Sequence, residues 1–131
     1  MLLQTNSYLV TPERRAAHAR IVLRFRDVMA RLGHRTFEVV EQVGDEWSAD
    51  DGQVTRFVQL LGFASAAERD RLRAAEAADE DAQALIAEFC RVIDYDEQQA
   101  AGTFVTSYFT SSLGDGDALR VDDAATSEVA G

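Results

Sequence analysis

The stretch Arg56-Phe57-Val58-Gln59-Leu60-Leu61-Gly62-Phe63-Ala64-Ser65-Ala66-Ala67-Glu68-Arg69 decides how the chain is read. From Phe57 to Phe63 apolar residues occupy even and odd positions alike. A strand with one wet face alternates apolar and polar, so a run of this kind marks a central strand covered on both sides. The second half, Ser65-Ala66-Ala67-Glu68, puts a hydroxyl at an N-cap and a carboxylate three residues on. That pattern opens a helix, because the two side chains satisfy backbone N–H groups that have no partner inside the helix. A central strand over residues 53–64 that hands over to a helix at Ser65 is therefore expected.

Upstream, Leu2 to Val10 reads as a strand that stops at Thr11-Pro12-Glu13. Thr suits an N-cap, Pro the first helical position, and Glu the positive end of the helix dipole. Ile21, Val22, Phe25, Val28, Met29 and Leu32 then recur at spacings of three and four, and Gly33 follows as a helix stop. Arg35 to Val43 reads as a second strand, and Gly44 to Gly52 as a loop rich in turn formers. Downstream of Ser65, Asp79-Glu80-Asp81 interrupts the helix and recaps it. The apolar stripe then runs through Ala82, Leu85, Ile86, Phe89, Val92 and Ile93. Asp94 to Gly102 reads as a polar exit, and Thr103 to Leu113 as the fourth strand.

The order strand, helix, strand, strand, helix, strand is the ferredoxin-like βαββαβ pattern. It is an α+β fold with a four-stranded antiparallel sheet and its helices on one face. The expected domain covers residues 1–113. Residues 114–131 offer little to bury and are expected to form an acidic, disordered tail. The other sheet face is apolar and needs a cover that the chain does not contain. A second copy is the simplest one, giving a homodimer with sheet against sheet.

The chain has 131 residues, 47% of them hydrophobic and 27% charged, which suits one globular domain. Its net charge is −10, so a phosphate backbone is repelled and nucleic acid is not expected as a partner. All its basic residues are arginines, which reads as the codon usage of a GC-rich genome. One cysteine, Cys90, excludes a disulfide framework. With no apolar run long enough for a membrane span and no leader pattern, the expectation is a cytoplasmic protein without membrane contact.

Three stretches carry a resemblance to a known family: Gln4 to Glu13 leading into the first helix, Arg56 to Arg69 as quoted above, and the closing Phe104-Val105-Thr106-Ser107-Tyr108-Phe109. In this order the chain resembles the dimeric α/β-barrel superfamily, which includes antibiotic-biosynthesis monooxygenase-like and NIPSNAP-like proteins. The resemblance spans residues 1–113 and implies a dimeric α/β barrel. In the heme-degrading and cofactor-free monooxygenases of that superfamily an Asn on the first strand is catalytic, and Asn6 matches it by position. Those enzymes also carry a Trp at the end of the third strand and, for heme, a His on the second helix. Phe63 stands at the first position and the second helix has no His, which argues against heme degradation.

The residues themselves point to the same place. Gln4-Thr5-Asn6-Ser7 puts four polar side chains in a strand that this topology makes central, a costly choice unless partners or water satisfy them. They either line a solvated pocket or bond to one another, to water or across the dimer, and both readings stand. Gln4, Asn6 and Tyr8 share one face by alternation. An Asn amide there can orient a carbonyl or stabilise an oxyanion, and Tyr8 can donate a proton or serve as an aromatic wall. Gln59, Phe63, Tyr108 and Trp47, the last in the loop between strands two and three, complete the candidate substrate-binding set. Both Tyr8 and Tyr108 can equally serve as packing residues with a satisfied hydroxyl. His18, at the edge of the first helix's apolar face, reads as a satisfied packing residue. Neither histidine has ligand spacing, so no metal is expected. No cofactor motif is present.

Two functions follow. One is a cofactor-independent, monooxygenase-like enzyme acting on an apolar or aromatic small molecule, with Asn6 and Tyr8 catalytic. The other is a non-catalytic dimeric binding or regulatory module in which the polar run is structural.

Overall fold

The computed structural model describes residues 1–44 and 54–112. Trp47 and its loop, Leu113 and the segment 114–131 lie outside the described residues. Leu2–Val10 form β1, whose even-numbered side chains are buried and whose odd-numbered ones are half-buried. A short 3-10 turn at Pro12–Arg14 leads into α1, Arg15–Leu32. β2 spans Thr36–Glu41 and β3 Thr55–Phe63. Three helices follow, α2 (Ala66–Ala78), α3 (Glu80–Ile93) and α4 (Tyr95–Ala101), and β4 (Val105–Thr110) closes the described chain. The sheet order is β2-β3-β1-β4 and every pairing is antiparallel. This is the ferredoxin-like α+β arrangement, with β1 and β3 in the centre.

Local chemistry places the ends of these elements. Gly33 ends α1 with φ 104°, a left-handed conformation that a side chain would strain. The Ser65 hydroxyl accepts the N–H of Glu68 at 3.1 Å. The Asp79 carboxylate accepts the N–H of Ala82 at 2.9 Å, so the chain does break and recap there. Thr11 stands at the N-cap position ahead of the 3-10 turn, but its hydroxyl makes no cap bond. Pro12 forces the tighter 3-10 turn first, and α1 begins three residues later.

Helices cover one face only. Ile21, Phe25 and Met29 of α1 and Leu85, Phe89 and Ile93 of α3 pack on Tyr8, Val10 and Phe104. A smaller cluster joins Leu2, Leu61 and Phe63 to Leu72 of α2. The opposite face carries Leu3, Leu9, Val58 and Leu60 half-buried, with Val40, Val105 and Phe109 exposed. β4 is an edge strand, and its apolar outer residues belong to this open face.

One expectation fails. Asp94 to Gly102 is not an irregular exit but contains α4, opened by Asp94 in a left-handed conformation (φ 56°) and closed by Gly102. The purpose of that turn is visible in Gln98. β1 and β4 pair only as far as Ser7 and Val105, which leaves the backbone of Leu9 unpaired on that edge. The Gln98 side-chain amide supplies both partners: its oxygen accepts the Leu9 N–H at 2.8 Å and its nitrogen donates to the Leu9 carbonyl at 2.9 Å. A primary amide thus stands in for one residue of strand. Buried backbone groups stripped of partners are costly. Gln98→Ala is therefore expected to destabilise the protein by about 2–3 kcal/mol in urea denaturation, whereas Gln99→Ala, at an exposed site, changes stability little. Equal effects of the two substitutions would contradict this role.

Candidate functional site

The antiparallel register sets Asn6 opposite Gln59 on β3 and opposite Thr106 on β4. All three point to the helix side, because alternation along β1 buries Leu2, Gln4, Asn6, Tyr8 and Val10. Gln4, Asn6 and Gln59 have no more than 1% of their surface exposed. The Asn6 amide is central to the group. Its nitrogen donates to Gln59 Oε1 at 3.0 Å, and its oxygen accepts from Thr106 Oγ1 at 2.9 Å and Gln4 Nε2 at 3.3 Å. Gln59 Nε2 is buried and has no hydrogen-bond partner among the described residues.

Tyr8 extends this row by two residues along β1. Its hydroxyl lies 2.7 Å from Nε2 of His18, which α1 presents from the opposite layer. Both side chains are buried. Aromatic rings enclose the pair: Phe57 and Phe104 stack on Tyr8, Phe89 meets it edge-on, and Phe57 also packs against His18 at 4.3 Å between centroids. Burial, and secondarily the Arg15 guanidinium, bring the His18 pKa from its ordinary 6.5 down to about 4. Burial drives the Tyr8 phenol far above its ordinary value, with the Gln59 amide offsetting part of the rise. At neutral pH the row is thus a line of uncharged donors and acceptors in an aromatic surround.

The remaining candidates group at the other end of β1. Tyr108 stands opposite Gln4 in register, and its hydroxyl accepts from Nε of Arg69 at 3.2 Å, with the guanidinium also 4.9 Å from the ring centroid. Phe63 is buried against Leu2, Leu61 and Leu72 and meets the ring of His34 edge-on at 5.8 Å. His34 Nε2 lies 2.7 Å from the Glu76 carboxylate, both side chains almost fully buried, so the start of β2 is tied to the last turns of α2. Gln4, Asn6, Tyr8 and Gln59 therefore stand together. Phe63 and Tyr108 belong to the second packing cluster, with Leu2, Leu61 and Leu72, and Trp47 lies outside the described residues.

Sequence reasoning missed His18, Thr106 and the His34–Glu76 pair as partners. For His18 a signal was there: it precedes Ile21 by three residues and Phe25 by seven, so it belongs to the buried face of α1 and not to its edge. Thr106 follows only from the β1–β4 register.

No protein-family model matches the sequence, and no curated protein does. Among solved structures, the chain is similar to a protein of Deinococcus radiodurans provisionally named an antibiotic biosynthesis monooxygenase. The TM-score is 0.50 and the identity 10%, over 86% of this chain and 93% of that one. At that identity the likeness shows the fold alone. A looser likeness, with a TM-score of 0.34 and 8% identity over 94% of this chain and 96% of that one, is to a de novo designed protein with a ferredoxin fold. Neither is a NIPSNAP-like protein by name.

The state of His18 has a measurable consequence. Unfolded, it titrates near its ordinary value; folded, near pH 4. Protons therefore bind the unfolded chain first, and the stability that neutral His18 contributes is complete above about pH 6.5 and lost as pH falls toward about 4. The difference in unfolding free energy between wild type and His18→Gln is expected to fall by roughly 2–3 kcal/mol between about pH 7 and pH 4 in urea titrations. A difference that does not move with pH would contradict a buried neutral imidazole.

Proposed function

We propose that the chain binds an apolar or aromatic small molecule between sheet and helices and acts on it as a monooxygenase-like, cofactor-independent enzyme. The observation that carries this reading is the row Gln4–Asn6–Gln59–Tyr8, uncharged and placed on the helix side of the two central strands. Gln59 Nε2 ends it as a buried donor with no acceptor among the described residues. Burying such a group is costly unless an acceptor is supplied, and a ligand oxygen would be one. The phenylalanines around Tyr8 suit a planar apolar body, and the amides suit its carbonyl or hydroxyl groups. In this reading Asn6 and Tyr8 touch the reacting part of the substrate, and Gln4, Gln59 and Tyr108 hold its polar groups.

The same reading makes the protein a homodimer. Val40, Val105 and Phe109 are exposed on the open sheet face beside half-buried Leu3 and Leu60, an apolar surface that a second copy would cover. The cytoplasm is the proposed location, since the chain's single cysteine offers no disulfide. Among the described residues no helix is long and apolar enough to cross a membrane.

A second reading has its own observation. The Asn6 amide is bonded to Gln59, Thr106 and Gln4, which a purely structural network would also achieve. In that case the protein is a non-catalytic binding or regulatory module of the same fold. Native mass spectrometry of purified protein separates the outcomes. Two chains carrying a small adduct, retained by wild type and lost from folded Gln59→Leu, is the expected result. Two chains that take up no adduct from a panel of aromatic ketones and phenols would favour the structural network. A bare single chain would contradict the dimer.

A further inference from the structure

The two edges of the sheet, β2 and β4, are not protected alike. β2 carries Glu38 and Glu41, both exposed, and a strand laid beside it would meet those charges. β4, Val105-Thr106-Ser107-Tyr108-Phe109-Thr110, has no charge and no proline. Among the described residues it pairs with β1 alone, so alternate residues along it turn backbone N–H and C=O groups outward. Val105 and Phe109 add apolar surface at this edge, being 46% and 54% exposed. An uncharged, β-prone edge of this kind accepts whatever strand it meets unless the chain covers it. The chain covers its other unpaired strand segment with its own residues, since the Gln98 amide caps the backbone of Leu9.

We propose that the outer edge of β4 is the docking site of the chain's own segment Ala118-Leu119-Arg120-Val121, which adds to the sheet as an antiparallel strand. The sequence past β4 suits this in three ways. Pairing with β1 stops at Thr110, and Gly114-Asp115-Gly116-Asp117 then supplies the residues of a chain reversal. Leu119 and Val121 are apolar and two apart, so they share one face of a strand. Asp122 and Asp123 follow at once and stop the addition from growing. A return that sets Ala118 opposite Thr110 puts Leu119 beside Phe109 and Val121 beside Ser107, both on the open sheet face. The short tether keeps the segment's effective concentration at the edge high, which favours it over a strand from another molecule. The inference goes beyond the proposed function and does not depend on a ligand. It also leaves the face-to-face dimer possible, because Leu119 and Val121 widen the apolar face that a second copy would cover.

Amide hydrogen exchange followed by NMR on the full chain tests this directly. A bare edge strand protects only the alternate amides that face its neighbour, whereas a strand paired on both sides protects all of them. In wild type, the amides of β4 that face away from β1 are expected to exchange roughly tenfold or more slowly than the outward amides of β2. The Phe109 ring should also show a nuclear Overhauser contact with the Leu119 methyl groups. Leu119→Pro should remove the protection, because proline lacks the N–H that the pairing needs. Val129→Pro, farther along the same segment, should leave it intact. Outward β4 amides that exchange as fast as those of β2 in wild type would overturn the proposal. So would protection that survives Leu119→Pro, or protection that grows with protein concentration, since the edge would then be covered by another segment or by a second copy.

Discussion

Asn6 on β1 and Gln59 on β3 stand opposite each other on the helix-covered side of the sheet, joined by an amide–amide hydrogen bond of 3.0 Å. That pairing fixes the register of the two central strands, and with it the direction of every side chain along them. A slip of one residue would turn Tyr8 and Val10 out of the core and bring Ser7 and Leu9 in. The apolar side chains of α1 and α3 would then meet the Ser7 hydroxyl where they now meet the Tyr8 ring. The polar row therefore does two things at once. It specifies alignment, because only one register lets Asn6 reach Gln59 and Thr106 together. It also places hydrogen-bonding groups where apolar residues would pack more simply, which is the kind of local conflict that proteins keep at functional sites.

Elsewhere the structure answers the conflict with substitutes for regular pairing. Gln98 extends the edge of β1 with a side chain, and α4 exists as a turn that delivers it. His34 and Glu76 bond to each other inside the second cluster, where neither would be tolerated alone. On the surface, ion pairs such as Arg24 with Glu88 and Arg31 with Asp79 connect α1 to the start and middle of α3. These are exposed and contribute little each. The chain as a whole carries a net charge of −10, yet the row around Asn6 holds no ionised side chain at neutral pH. Under the proposed function, recognition there would rest on shape and hydrogen bonding.

Much of this was legible in the residues. Ser65 and Glu68 announced α2, Gly33 ended α1, Asp79 marked the break, and the unalternating run from Phe57 to Phe63 placed β3 in the centre. The joint placement of Gln4, Asn6 and Tyr8 followed from alternation alone, and Gln59 joined them through the register. What could not be read were contacts made between layers. Asp94 to Gly102 is polar because α4 lies at the surface, and composition cannot tell a short surface helix from an irregular exit. Gly62 gave no hint that Thr36 would lie so close that an added Cβ would come within 3.1 Å of it. His18 read as packing because sequence alone does not say which strand residue faces a helix. Its partner Tyr8 is ten residues away across a turn whose geometry Pro12 sets.

The central claim is that the amide row is kept for a ligand and not for stability. Its most direct test is the unfolding free energy of the combined variant Asn6→Leu, Gln59→Met and Thr106→Val, measured by urea denaturation beside the wild type. Replacing a whole buried network with apolar groups of similar shape removes the desolvation cost along with the bonds. The account predicts a variant as stable as wild type or more so, with no affinity for the small molecules that wild type binds. A variant that loses about 3 kcal/mol or more would show that the row holds the fold together, and the ligand-binding reading would fall.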